Sequence, residues 1–316
     1  MIRIGLVGAG AVGRSHRWAI IKNPDCTLAA VCDVAEEKAL KLAEGTQAKV
    51  YKDYKEMAER EKLDAVILNL PHFLHKDAAV FFLSKHIPTL VEKPMALNAA
   101  ECDAMIEASE KYNTKLAVGH VQKYFRCHKY MRDLIASGEL GKLCMMTETR
   151  NVNYFPNRPG WFLDKKLSGG GILMNYGAHS LDKMLFMTGL PIEKISANGN
   201  NFLTKDSVEA AAQVLVGFAG GCTAALTFSG CETPFQYDTY FYFTGGAVKI
   251  EDCRNLWMAK GAGPLEKIDV PGEDDLFGEQ LRELIKLVEG KESDIVTPEY
   301  GREVVRWLDA AFADFN

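Results

Sequence analysis

The sequence predicts an α/β protein of two domains. A parallel sheet covered by helices on both faces is expected over residues 1–120, and an α+β domain with an antiparallel sheet over 121–316. Three observations carry this reading. Short apolar runs alternate with amphipathic stretches through the first 120 residues, a glycine-rich turn follows the first run, and beyond residue 120 the runs are joined by glycine pairs. A chain of 316 residues is long enough for two ordinary domains, each with a core.

In order, the first half offers strands at IRIGLVG, TLAAVCD, AVILNLP, IPTLVE and KLAVGH, with helix-like segments Val34–Glu44, Phe73–Lys85 and Asn98–Tyr112 between them. Strands alternating with helices of about a dozen residues call for crossover connections and hence a parallel sheet. The second half opens with a basic-aromatic helix, QKYFRCHKYMRDLIAS, ending at Gly138. A strand (Leu143–Arg150), an irregular loop (Asn151–Ser168) and a helix from about Gly171 to Met187 follow. AAAQVLVGF, CTAALTFS, DTYFYF and AVKIED then read as strands, with hairpin turns at Gly220-Gly221 and Gly245-Gly246. A last helix, Pro298–Phe315, has proline in its first turn.

Composition narrows the function. The chain is 47% hydrophobic and 25% charged with a net charge of -5, the profile of an ordinary globular protein. No basic run or stripe offers a nucleic-acid surface, and no apolar stretch is long enough to span a membrane. MIRIGLVGAG enters a strand and a glycine turn directly, which is not the pattern of a signal peptide. The eight cysteines include no C-x-x-C pair. Several, such as Cys32 and Cys144, lie in apolar runs and read as small core residues of a reducing cytoplasm.

Gly8, Gly10 and Gly13 form G-x-G-x-x-G between the first strand and a helix. Glycines there permit the tight turn, a close backbone approach to a pyrophosphate, and close helix–strand packing. The helix N-terminus supplies free N–H groups for the anion. Asp33 ends the second strand 20 residues past Gly13, where a ribose-binding acid belongs. Its carboxylate repels a 2′-phosphate, and the following Val34-Ala35 brings no cation, so NAD is favoured over NADP.

The runs AVILNLP and IPTLV lead into Pro71-His72-Phe73-Leu74-His75 and Glu92-Lys93-Pro94. Ligands of open parallel sheets lie beyond the carboxyl ends of the strands, so both segments are expected beside the nicotinamide. Pro94 restricts the backbone of Lys93. Further on, Asn175, His179 and Asp182 stand at i, i+4 and i+7 and are expected to share one helical face. Gly169, Gly170 and Gly171 are expected to let that helix start approach a ligand. No metal is expected, because Asn is a poor ligand and no H-x-x-x-H or Cys pair accompanies it.

The G-x-G-x-x-G turn, P-x-x-x-H, E-K-P and the segment GGGILMNYGAHSLD together resemble the glucose–fructose oxidoreductase / inositol dehydrogenase / MocA family, over essentially the whole chain. The resemblance implies a Rossmann domain followed by an α+β domain with an open, mainly antiparallel sheet. It also implies NAD(P)-dependent oxidation of a sugar or polyol hydroxyl, and dimers or tetramers. By motif, the cofactor site takes in Gly8, Gly10, Val12, Gly13, Asp33, Pro71, His75, Glu92 and Lys93. Lys93 is implied to hydrogen-bond the reacting oxygen and His179 to act as general base. Asn175 stands where the family often has Asp; a carboxylate there would raise the imidazole pKa, whereas an amide orients the ring or binds a substrate hydroxyl. Trp161, Asn175, Tyr237, Lys93 and His179 are the expected substrate contacts, with Arg158 closing the pocket from the same loop as Trp161.

Several readings stay open. Gln122 and Lys123 either reach the ligands or sit at an exposed helix start. Asp182 either joins the site or anchors a neighbouring turn, and Tyr237 either offers a hydroxyl or packs in the sheet. A catalytically silent nucleotide- or sugar-sensing regulator, or a reductase of a non-sugar substrate, would use the same scaffold. Lys93, His179 and the intact G-G-G segment favour the dehydrogenase. The strands of the second domain carry apolar residues at successive positions, so its uncovered sheet face is expected to pair with another subunit.

Overall fold

The computed structural model describes residues 1–156, 158–203 and 207–315. In the first half of the chain the elements are β1 (Ile2–Val7), α1 (Ala11–Lys22), β2 (Cys26–Cys32), α2 (Glu36–Ala43), β3 (Lys49–Tyr51), α3 (Tyr54–Arg60), β4 (Ala65–Leu68), α4 (His75–Ser84), β5 (Thr89–Glu92), α5 (Ala99–Lys111) and β6 (Leu116–Gly119). The strands form one parallel sheet in the order β3-β2-β1-β4-β5-β6. Side chains alternate between two cores because successive strand residues point to opposite faces. Ile4, Leu6, Ile67 and Leu90 pack with Ile20 and Leu42 on one side. Val66, Leu68, Val91 and Val118 pack with Phe82 and Met105 on the other. Both faces are buried, so these strands read as continuous apolar runs. The edge strand β3 is three residues long and partly exposed, too short for periodicity to reveal.

The second half holds α6 (Arg126–Ser137), β7 (Leu143–Asn151), the short α7 (Lys165–Ser168), a π-turn (Leu173–Gly177) leading directly into α8 (Ala178–Thr188), and seven further strands. These are β8 (Ile192–Asn200), β9 (Ala211–Phe218), β10 (Thr223–Ser229), β11 (Gln236–Phe243), β12 (Gly246–Glu251), β13 (Asn255–Lys260) and β14 (Glu266–Ile268). They make an eight-stranded sheet, β14-β13-β12-β11-β7-β10-β9-β8, antiparallel except for the β7/β10 pair. The apolar runs nonetheless alternate: Val214, Val216, Leu226, Phe228 and Phe241 are buried, while Leu215, Thr227, Tyr240 and Tyr242 lie on the other face with partial or full exposure. Cys144, expected in a core, is exposed at the start of β7, where the β7/β11 register shifts and leaves it without an opposite residue.

Two C-terminal helices complete the chain, α9 (Leu276–Val288) and α10 (Pro298–Ala313). They correct the expectation of one cut at residue 120. Residues 275–305 belong with residues 1–121 in the first compact unit, and residues 306–316 with residues 122–274 in the second. The cause is the apolar stripe of α9, whose Leu281, Leu284 and Ile285 share a core with Ala19 and Ile20 of α1. Among the described residues no helix is long and apolar enough to cross a membrane.

In the second unit Lys183 of α8 and Glu148 of β7 form a fully buried ion pair. Lys183 also reaches Thr239 Oγ1 at 2.7 Å and Tyr237 Oη at 3.3 Å, and Ser180 Oγ donates to Glu148. This network joins α8 to two neighbouring strands. Lys183→Met should therefore destabilise the fold by about 3–5 kcal/mol, the scale of a buried charge stripped of its partner, and adding Glu148→Leu should recover most of that loss. Burial pushes the Glu148 carboxyl up, but Lys183 and Ser180 hold it below its ordinary 4.5. Its contribution is thus complete above that value and lost as pH falls through the depressed folded pKa. Urea unfolding of the variants, and of the wild type at descending pH, checks both statements.

Candidate active site

In the first unit the three turn glycines have separate physical reasons. Gly8 has φ +96°, and a Cβ there would fall 2.3 Å from the Asn69 carbonyl oxygen. A Cβ on Gly13 would come 2.5 Å from the Gly8 carbonyl oxygen, so this glycine lets α1 lie against the turn. Gly10 differs: a Cβ would meet nothing within 4 Å, so the space above it is open. It is the N-cap of α1, whose first turn has neither a side-chain cap nor an acidic residue. The donors of that turn suit an anion.

Asp33 holds the turn in shape. Its Oδ2 accepts from the Ala9 amide at 2.7 Å and its Oδ1 from the Ala35 amide at 2.8 Å. Each oxygen keeps a second lone pair, and the side chain is partly exposed. Val12 and Val34 are 39% and 88% exposed, so neither crowds the approach. Beside the turn, both polar atoms of the Asn69 amide are enclosed without a hydrogen-bond partner among the described residues. An open glycine, an uncapped helix start, a half-exposed Asp33 and an unfilled amide are the groups a dinucleotide would use.

The opposite charges of Glu92 and Lys93 separate. Glu92 is buried, and its Oε1 meets His16 Nε2 of α1 at 2.8 Å. Gly119, its register partner on β6, leaves room for it, since a Cβ there would stand 2.9 Å from Glu92 Oε1. Glu92 is therefore a strut between β5 and α1. Lys93 follows half-buried, and its peptide bond to Pro94 is cis. His75 plays a comparable structural part. It is fully buried, with Nδ1 3.0 Å from the Pro94 carbonyl and Nε2 2.8 Å from that of Leu70, so it ties the Lys93-Pro94 turn to the loop after β4. Burial lowers its pKa. Pro71 stays partly exposed at the start of that loop's helical turn.

In the second unit two glycines of the triplet admit close packing. A Cβ on Gly171 would lie 2.2 Å from the Glu209 carbonyl oxygen, and one on Gly170 would lie 2.5 Å from the Phe312 ring. The buried Glu209 carboxylate accepts from the amides of Gly171 (2.7 Å) and Leu173 (2.9 Å), capping the helical run. Desolvation raises its pKa, partly offset by these amides. The π-turn at Leu173–Gly177 contains Asn175 and widens the helical run just before His179. Asn175 Nδ2 donates to Tyr154 Oη at 3.3 Å. Asp182 is buried on α8, within the core rather than at a surface.

His179, at the start of α8, is partly exposed, with Nδ1 3.3 Å from Gln122 Nε2. Gln122 is itself held from behind. His128, pushed down to about 3 by burial and by nearby Lys183, is neutral and donates from Nδ1 to the Gln122 carbonyl at 2.7 Å. An amide turned over offers either a donor or an acceptor, so Gln122 suits either state of the ring nitrogen. Gln122 and Lys123 are buried, which removes the exposed helix start as an explanation. Tyr237 is buried in β11 with its hydroxyl toward Lys183, not offered at a surface. Trp161 is half-exposed in a helical turn, its ring 3.9 Å from that of Phe162. Arg158 donates to Tyr176 Oη at 3.2 Å and to the Tyr154 carbonyl at 2.8 Å.

A family profile described as an oxidoreductase family with an NAD-binding Rossmann fold matches residues 2–120, and one described as the GFO/IDH/MocA C-terminal domain matches residues 128–249. The chain belongs to the Gfo/Idh/MocA oxidoreductase family. The rhizopine catabolism protein MocA of Rhizobium meliloti is 30% identical over 192 residues, 59% of this chain and 57% of that protein. The myo-inositol 2-dehydrogenase of Thermotoga maritima is 28% identical over 201 residues, 63% of this chain and 58% of the relative. The match thus spans less than two-thirds of either relative's length. An oxidoreductase domain protein from Kribbella flavida shares the fold, with a TM-score of 0.87 at 22% identity over 99% of this chain and 97% of that one.

Within this Gfo/Idh/MocA chain, His16, His128 and Glu209 were not foreseen as supports of the site. None of the three belongs to a motif or a periodic pattern that would mark it in the sequence. Their partners lie 76, 6 and 38 residues away in the chain, and only for His128 is the partner local.

Proposed function

We propose that the protein is an NAD-dependent dehydrogenase that oxidises a hydroxyl of a sugar, cyclic polyol or sugar derivative. One observation carries the reading. A chain of this oxidoreductase family combines a nucleotide turn left open at Gly10 with a partly exposed imidazole, His179, held at one ring nitrogen by an amide. The similarity to a myo-inositol 2-dehydrogenase supports the polyol class. The presence of both Lys93 and His179 speaks against a silent regulator, and the intact glycine–histidine segment against a reductase of another substrate class. Eight cysteines, none in a disulfide, support a cytoplasmic setting.

Gly10 and the first amides of α1 hold the pyrophosphate, and Asp33 the ribose diol. When bound, NAD supplies the hydride acceptor. His179 takes the proton of the substrate hydroxyl, Gln122 keeping its ring oriented. Lys93 hydrogen-bonds the same oxygen and stabilises the negative charge that grows there as the proton departs. Asn175 and Trp161 orient the substrate.

Calorimetry tests the cofactor assignment. NAD should bind more tightly than NADP, and Asp33→Ser with Val34→Arg should reverse the order. Gly10→Ala should weaken NAD binding roughly tenfold or more without lowering thermal stability. Equal affinities for the two cofactors in the wild type would refute it.

Turnover tests the catalytic pair. His179→Ala and Lys93→Ala should each lower kcat by roughly a hundredfold to ten-thousandfold while NAD affinity stays close to that of the wild type. Near-full turnover by His179→Ala on the best substrate of a sugar and polyol panel would remove His179 as the base.

The outward face of the second sheet is proposed as the subunit contact, in a homodimer or homotetramer. Leu215 and Met145 are 62% and 42% exposed there, Tyr240 and Tyr242 stack with centroids 6.0 Å apart, and shallow grooves run along β8, β9 and β10. The same face of a second copy is the simplest cover, as an isologous contact. Sedimentation should give a multiple of 35.0 kDa, and Leu215→Glu should shift it toward the monomer. A wild-type monomer at micromolar concentration would end this reading.

A further inference from the structure

Arg150 stands in β7 opposite Tyr237 of β11, on the same sheet face as Glu148. Its guanidinium carbon is 3.7 Å from the ring centroid of Tyr176 and 4.2 Å from that of Tyr237. Two aromatic rings therefore lie against the guanidinium. The stack is braced from behind, because Arg158 donates to the Tyr176 hydroxyl at 3.2 Å. The Arg150 side chain forms no hydrogen bond and no ion pair among the described residues, and its Nε and Nη1 are enclosed without an acceptor. The carboxylate next along the strand, Glu148, is already committed to Lys183, Ser180 and Thr239.

This leaves a planar, charged donor packed against two rings, with no ion-pair partner of its own and with the carboxylate near it, Glu148, held by other groups. Ring stacking offsets part of the cost of holding such a cation partly out of water, but it gives the N–H groups no acceptor. An acceptor has to arrive in the plane of the guanidinium, at the less enclosed Nη2 edge. The groups that match a guanidinium edge are carboxylate and phosphate. Tyr176 precedes His179 by three residues in one continuous helical run, a rise of roughly 5 Å. A single small molecule can span that interval.

We propose that the substrate is anionic, a sugar acid or sugar phosphate whose charged group docks on Arg150 while the hydroxyl to be oxidised faces His179. This rests on the dehydrogenase reading of His179. It adds a specificity-determining residue and a substrate class, and it distinguishes Arg150 from Arg158, which acts by bracing Tyr176.

Matched probes test it: glucose, glucuronate and glucose 6-phosphate, each followed by NADH formation in the wild type, Arg150→Met and Arg150→Lys. At least one anionic probe should exceed glucose in kcat/KM by about tenfold or more, the scale of one charge-assisted contact. The better anion identifies carboxylate or phosphate as the docked group. Arg150→Met should bring the anionic-to-neutral ratio close to one, and Arg150→Lys, which keeps the charge but loses the fork, should retain part of it. Glucose equal to or better than both anions in the wild type, or an unchanged ratio in Arg150→Met, would overturn the proposal. If no probe is turned over, ligand-detected NMR on the NADH-loaded protein decides separately. Binding of an anionic probe that is lost in Arg150→Met but kept in Arg150→Lys upholds the anion site and counts only against the dehydrogenase reading. No binding of either anion to the wild type overturns the proposal itself.

Discussion

A carboxylate removed from water has to be answered inside the protein, and three buried ones organise the functional segments of this chain. Glu92, Glu148 and Glu209 are 8%, 1% and 7% exposed. Each is met in a different way: by an imidazole of α1, by a buried ammonium of α8, and by backbone amides at a helix start. Hydrogen bonds to a charged group are worth about 1.5–3 kcal/mol each, and a buried charge left alone costs more than that. The neighbouring backbone is therefore held to whatever geometry keeps the carboxylate satisfied. In the first unit that geometry sets the end of β5, from which Lys93 emerges. In the second it sets the start and the seat of the helix that carries His179.

Glycine placement follows from the same constraint. Gly119 leaves space beside the Glu92 carboxylate and Gly171 lies against the Glu209 backbone. These glycines serve packing inside the protein. Gly10 does the opposite, leaving space that nothing in the chain fills. Glycines in similar motif settings thus separate into those that admit a neighbour and one, Gly10, that leaves open space.

Histidines separate in a similar way. His75 and His128 are fully buried, with ring nitrogens against backbone carbonyls, and burial holds both toward the neutral form. They fix the turn at Pro94 and the backbone of Gln122. His179 is the partly exposed one at the start of α8, and its amide neighbour can meet either protonation state. Under the proposed mechanism, the neutral His128 behind Gln122 leaves that support undisturbed when His179 takes a proton.

The sequence by itself determined the features that depend on short spacing. Alternating strands and helices, the glycine turn followed by Asp33, and the helix carrying Asn175 and His179 are all legible, because periodicity and local turn chemistry act over a few residues. The short edge strand β3 and the exposed position of Cys144 were not, since three residues give no period and an apolar neighbourhood in sequence does not fix a face. Tertiary structure alone decided which partner each polar residue takes. It sent Glu92 to His16 across 76 residues, Glu209 to the glycine triplet, α9 back to α1, and Arg150 between Tyr176 and Tyr237. A residue's type states that a buried charge needs a partner; only the folded chain, where distant segments compete for the same space, determines which one it gets.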